Sequence, residues 1–102
     1  MAQARRRYTT VNGAEDWIVT VTWDERGLDS AHWFETKVEA VNEKTGGKYK
    51  FPPEIRTYRI GEIEHSFREF VRIDWEGDRE AAIGHLLNTI YRRVYSYIER
   101  GH

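Results

Sequence analysis

The longest regular pattern in the chain lies in its last quarter. From Asp78 to Arg100, taken at about 100° per residue, Ile83, Leu86, Leu87, Ile90, Val94 and Tyr97 share one stripe. Beside it runs a second band, Gly84, Tyr91, Tyr95 and Ile98. Together they span about half the circumference, more than the stripe of roughly 100° that a surface helix needs. His85, Asn88, Arg92, Ser96 and Glu99 complete a polar side. Asp78 is placed to cap the first free amides, Glu80 suits the positive end of the dipole, and Gly101 suits a left-handed C-terminal residue.

The middle of the chain follows a period of two instead. Trp17, Val19, Val21 and Trp23 alternate with Ile18, Thr20 and Thr22, and Phe34, Thr36, Val38 and Ala40 alternate with Glu35, Lys37 and Glu39. Asp24 to Ser30 reads as a loop around Gly27. Asn42 to Gly47 reads as a hairpin turn, because Gly46 and Gly47 accept positive φ. Lys48 to Phe51 reads as a short strand ended by Pro52 and Pro53, and Ile55 to Ile60 as another closed by Gly61. Glu62 to Trp75 fits either period; the Val-Arg-Ile-Asp-Trp run favours a strand from about Phe67, with Phe67, Val71, Ile73 and Trp75 on one face and Arg68, Phe70 and Arg72 on the other.

This order predicts an α+β fold: an antiparallel β meander of four to five strands, followed by one long C-terminal helix packed on one sheet face. Residues 1–7, with Arg5, Arg6 and Arg7 in succession, read as a mobile basic N-terminal tail, and 8–102 as a single domain. No internal repeat is convincing.

Composition narrows the function classes. Of the 102 residues 32% are charged, yet the net charge is only -1, which argues against a generally cationic nucleic-acid or membrane binder. Cysteine is absent, and with it disulfides, thiol nucleophiles and cysteine-bearing zinc patterns. No run approaches the 18 or so apolar residues of a membrane span, and no secretory signal is visible in Met1 to Tyr8, so cytoplasmic is the expected location.

Motifs for chemistry are thin. His32, His65, His85 and His102 never pair at the i, i+2 or i, i+4 spacing that aims two imidazoles at one metal, so no metal and no cofactor are expected. The Asp74–Glu80 carboxylates lack the glycine and glutamate positions of a calcium loop. There is no nucleophile elbow and no phosphate loop, which leaves enzyme activity the less favoured reading.

Three functional readings remain. The first is a non-catalytic protein-binding or assembly module, self-associating through the helix band Gly84, Tyr91, Tyr95 and Ile98 or through a sheet edge. Tyrosines are enriched at interfaces, and Gly84 would allow close approach. The plain alternative is that the band packs under a loop or a curved sheet edge, since a tyrosine hydroxyl tolerates half-burial. The second is a single-stranded nucleic-acid binder, in which Lys48, Lys50, Arg56, Arg68 and Arg72 hold phosphates and Phe70 stacks a base. Against it stand Glu35, Glu39, Glu54 and Glu69. The third is a small enzyme or ligand binder with a pocket between sheet and helix, lined by Trp17, Trp23 and Trp33.

Overall fold

The structure is a computed structural model that describes residues 2–60 and 65–101. Expectations attached to Gly61, Glu62, Ile63, Glu64 and His102 lie outside the described residues.

The chain forms strands β1 (Ala2–Thr9), β2 (Asp16–Trp23), β3 (Trp33–Asn42), β4 (Lys48–Tyr49) and β5 (Thr57–Arg59). It also forms helices α1 (Pro53–Arg56), α2 (Phe67–Asp74) and α3 (Arg79–Glu99). The strands make one antiparallel sheet in the order β1-β2-β3-β4, with β5 also paired to β3. The protein is therefore an α+β domain with a long C-terminal helix.

The strongly alternating segments form the sheet as expected. Trp17, Val19, Val21 and Trp23 are buried on one face of β2, and Phe34, Thr36 and Ala40 on the same face of β3. The Asn42–Gly47 turn closes through the Asn42 N–H on the Gly47 carbonyl at 2.8 Å, with Gly46 at φ 72°. The Asn42 side-chain oxygen accepts from the Lys44 and Thr45 amides. The strand expected over Lys48–Phe51 stops at Tyr49, and that expected over Ile55–Ile60 is split into α1 and β5. Pro53 sits in the first turn of α1, where its fixed φ suits a helix start and its missing N–H costs nothing.

Two segments depart from the sequence reading. Residues 2–7, within the stretch read as a mobile tail, belong to β1, which is paired with β2 along its whole length from Ala2↔Trp23 to Thr9↔Asp16. The turn that returns the chain uses Thr10 N–H on the Glu15 carbonyl at 3.0 Å, and Gly13 supplies positive φ. The second is α2, where a strand from Phe67 was expected. Ser66 and Glu69 form a reciprocal capping box: the Ser66 hydroxyl accepts from the Glu69 amide at 3.4 Å and the Glu69 carboxylate accepts from the Ser66 amide at 3.3 Å. Two otherwise unpaired donors are satisfied at once, which starts a helix where the alternation alone favoured a strand. In this helix Phe67, Phe70 and Val71 turn inward together.

α3 begins at Asp78, whose carboxylate accepts from the Ala81 amide at 3.1 Å. Its expected core stripe is largely inside: Leu86, Leu87, Ile90 and Val94 are buried, while Ile83 and Tyr97 are half-buried. All the helices lie on the Trp17–Val19–Val21 face, and one continuous core fills the space between.

Candidate functional site

The expected helix interface is occupied within the chain. Inward-pointing residues of β1, Arg6 and Tyr8, lie over the second band of α3. The Arg6 guanidinium sits 4.4 Å from the Tyr91 ring centre, and Tyr8 stacks on Tyr95 at 4.1 Å with planes 6° apart. Tyr91 and Ile98 are buried, while Tyr95 and Gly84 are half-buried. Burial pushes the Tyr91 hydroxyl up to about 12 despite the nearby Arg6 charge, and that hydroxyl has no hydrogen-bond partner among the described residues. Burial also raises Tyr95, against the lowering influence of Arg6. A Cβ placed at Gly84 would meet nothing within 4 Å among the described residues, so no described element uses the close approach it allows. Tyr91 and Tyr95 therefore pack under β1 at the sheet edge, whereas Gly84 does not.

The nucleic-acid constellation is divided. Arg68, Phe70 and Arg72 do not share an outward sheet face, because they are on α2. Phe70 is only 7% exposed and packs among Phe67, Trp75 and His85, so its ring is not free to receive a base. Arg68 reaches toward Asp29 at 3.9 Å and Arg72 is exposed. Lys48, Lys50 and Arg56 do come together, around a cleft of about 390 Å³ beside β3, and Lys37 joins them there. Arg5 and Arg7 belong to β1, not to a free arm; Arg7 pairs with Glu43 at 2.8 Å.

Of the tryptophans expected to line a pocket, Trp23 and Trp33 border one cleft of about 310 Å³ with Leu28, His32 and Phe34, while Trp17 does not. Trp17 and Trp23 are core residues at 6% and 8% exposure, whereas Trp33 is 48% exposed on the far side of the sheet, with the Arg59 guanidinium 5.7 Å from its ring. His85, assigned to a polar helix side, is half-buried against Trp75 at 5.3 Å. Among the described residues no group of three or more histidines, aspartates and glutamates is close enough to hold a metal ion. No described helix is long and apolar enough to cross a membrane.

An ion-pair chain missed in the sequence fixes the loop after β2. Arg79, at the start of α3, contacts Glu25 at 2.6 Å and Asp29 at 3.7 Å, and Trp23 Nε1 donates to Glu25 at 3.0 Å. The Arg79 guanidinium beside Glu25 holds that carboxyl below its usual range. Nothing local marks these partners, since 54 residues separate them.

Among the described residues no helix covers the outer face of the sheet, the face opposite the core. Strand register lays its residues in rows. Lys37, Thr22 and Gln3 form one, Glu39, Thr20 and Arg5 the next, and Lys48, Val41, Ile18 and Arg7 the third. Charges thus lie on β1 and β3, with a neutral, β-branched strip of Ile18, Thr20 and Thr22 between them.

No family model, curated protein or solved structure matches the chain.

Proposed function

We propose that the protein is a non-catalytic assembly module whose partner is a second copy of itself, docked through the outer sheet face. The observation that supports this reading is the row Arg5–Thr20–Glu39, which is complementary to its own image. A half-turn about an axis parallel to β2, lying between two facing sheets, brings β1 of one copy over β3 of the other. Arg5 then opposes Glu39 twice, Gln3 opposes Lys37, Arg7 opposes Val41, and the β-branched strip of β2 meets itself. A half-turn about the perpendicular in-plane axis would set Arg5 against Arg5 and Glu39 against Glu39. Charge therefore favours one mode of sheet packing and opposes the other. Sheets that pack with strands nearly aligned are a common solution of twisted β-structure.

The two tyrosines of the helix band are less accessible than the outer sheet face, since β1 lies over Tyr91 and Tyr95. The edge of β1 is a poor homophilic edge, because symmetric pairing centred on Arg5 or Arg6 would set arginines opposite each other. The outer face is polar and narrow, so its buried area falls at the weak end of specific interfaces, below about 1,200 Å². Association in the micromolar range is expected.

Sedimentation equilibrium tests this reading. Glu39→Arg should abolish the dimer, and the double change Arg5→Glu with Glu39→Arg should restore it, because the swap preserves the cross-copy pairs. A wild-type monomer at every concentration, or a double variant no better than the single one, sinks the proposal.

A further inference from the structure

We propose that the cleft beside β3 is a phosphate-binding site, formed where the sheet is interrupted. On its outer side β3 pairs with β4 at Ala40 and Val41 and with β5 from Trp33 to Glu35; among the described residues no strand pairs with Thr36 to Glu39 on that side. The chain leaves β4 at Lys50, bulges through α1 and returns at Thr57. The bulge opens a cleft of about 390 Å³ lined by Lys37, Lys48, Lys50 and Arg56, together with Val38 and one carboxylate, Glu39.

Backbone direction adds a donor. The His32 carbonyl accepts from Ile60, and the Asn42 amide donates to Gly47. Even-numbered residues of β3 therefore aim their amides and carbonyls toward the β4 and β5 side, as alternation along a strand requires. Thr36 is engaged there, its hydroxyl donating to the Arg56 carbonyl at 2.6 Å. The Val38 backbone pair is left facing the cleft.

The charges are unbalanced. Glu39 contacts Lys48 at 3.8 Å, but among the described residues no carboxylate forms an ion pair with Lys37, Lys50 or Arg56. Three unneutralised cations around one cleft repel each other, in a protein whose net charge is -1. A bound anion would remove that repulsion. The opening in the sheet is too short for an acidic peptide to add as a strand, since one residue's backbone pair does not make a ladder. Recognition must then run through clustered point charges and an amide, which is how lysines and backbone N–H groups hold phosphate. The phosphate could be carried by a single-stranded nucleic acid or by a free nucleotide.

Fluorescence anisotropy with a labelled oligothymidylate at low ionic strength, competed separately by adenosine monophosphate and by polyglutamate, tests the site. Binding is expected with a log–log salt slope of about -2 for the three unneutralised cations, and Lys37→Ala, Lys50→Ala and Arg56→Ala should each reduce it by about 0.7. Arg72→Ala, on α2, should change nothing. Competition by adenosine monophosphate at a concentration comparable to the oligonucleotide assigns a free nucleotide; competition only at large excess assigns the polymer. The proposal is overturned if neither probe binds, if Arg72→Ala weakens binding as much as Lys50→Ala, or if polyglutamate competes as well as the oligonucleotide. Lys37 faces Gln3 in the proposed dimer, but Lys50, Arg56 and Arg72 lie outside the paired rows, so their variants keep this result and the dimer result separately readable.

Discussion

Tyr8 and Tyr95 lie face to face, 87 residues apart in sequence, and join the first strand to the last turns of the final helix. Glu99 extends the contact by accepting from the Val11 amide at 3.1 Å. Stacked aromatic pairs contribute roughly 0.5–1.5 kcal/mol beyond the area they bury. Tyr8→Ala should therefore cost about 1–3 kcal/mol in urea unfolding, with apolar burial included. Tyr8→Phe should cost far less. Equal losses in the two variants would mean that the hydroxyl, not the stack, carries the contact.

The capping box of α2 gives a second expectation. Ser66→Ala removes the acceptor for the Glu69 amide and should destabilise the domain by about 1 kcal/mol. Amide exchange localises the effect: protection should fall first in the opening turn of α2 while β2 and β3 keep theirs. Unchanged exchange at Glu69 would show that the cap is dispensable.

The core stripe of α3 is the third. Leu86 and Ile90 are both completely buried. Either one changed to Ala should cost about 2–5 kcal/mol, the range for a truncated core side chain that leaves a cavity. Thermal denaturation followed by circular dichroism reads the loss, and a change below 1 kcal/mol would place the core elsewhere.

Tyr91 should be the last tyrosine to ionise. Its hydroxyl is raised to about 12, whereas the unfolded value is near 10. The folded state resists losing this proton and the unfolded state does not. Stability is therefore intact below about pH 10 and declines as pH rises toward 12. Ultraviolet titration of tyrosinate should show one late step that Tyr91→Phe removes.

Acid sensitivity should centre on Glu25. Its pKa is lowered mainly by the hydrogen bond from Arg79, against a smaller opposing push from burial. A depressed carboxylate stabilises the fold above the unfolded value near 4.3, and that contribution is lost as pH falls through the folded one. Both side chains are more than a third exposed, so solvent screening keeps the effect small. Glu25→Gln should flatten the decline in stability below about pH 5 relative to wild type, as read by melting temperature against pH.

The long helix and the two central strands were legible because their periods are long and unmixed. β1 was hidden because its inward positions read Ala2, Ala4, Arg6 and Tyr8. A guanidinium among small residues looks like a solvated tail until Tyr91 supplies a ring for it to lie on. That one misreading propagated: with β1 absent, the band of Tyr91 and Tyr95 looked uncovered and invited a partner. α2 was hidden differently. Phe67, Val71, Ile73 and Trp75 suit both periods, and the signal that decides between them, Ser66 with Glu69, lies in two polar residues at the margin. The basic cleft was half visible: Lys48, Lys50 and Arg56 were singled out, but their grouping with Lys37 depends on a break in strand pairing that no local pattern records.

The cover that β1 gives α3 also orders events during synthesis. The β1–β2 hairpin has a short turn and can form as soon as residue 23 emerges, yet the rings that Arg6 and Tyr8 rest on are not made until residues 91 and 95. Non-local closure of this kind slows folding. Meanwhile the hairpin waits with its inner face uncovered beside the open edge of β1, a state in which nascent chains aggregate. Arg5, Arg6 and Arg7 lie in the middle of that edge and repel a second nascent copy. The run that obscured the strand in the sequence would thus keep it from pairing with another copy before the helix arrives.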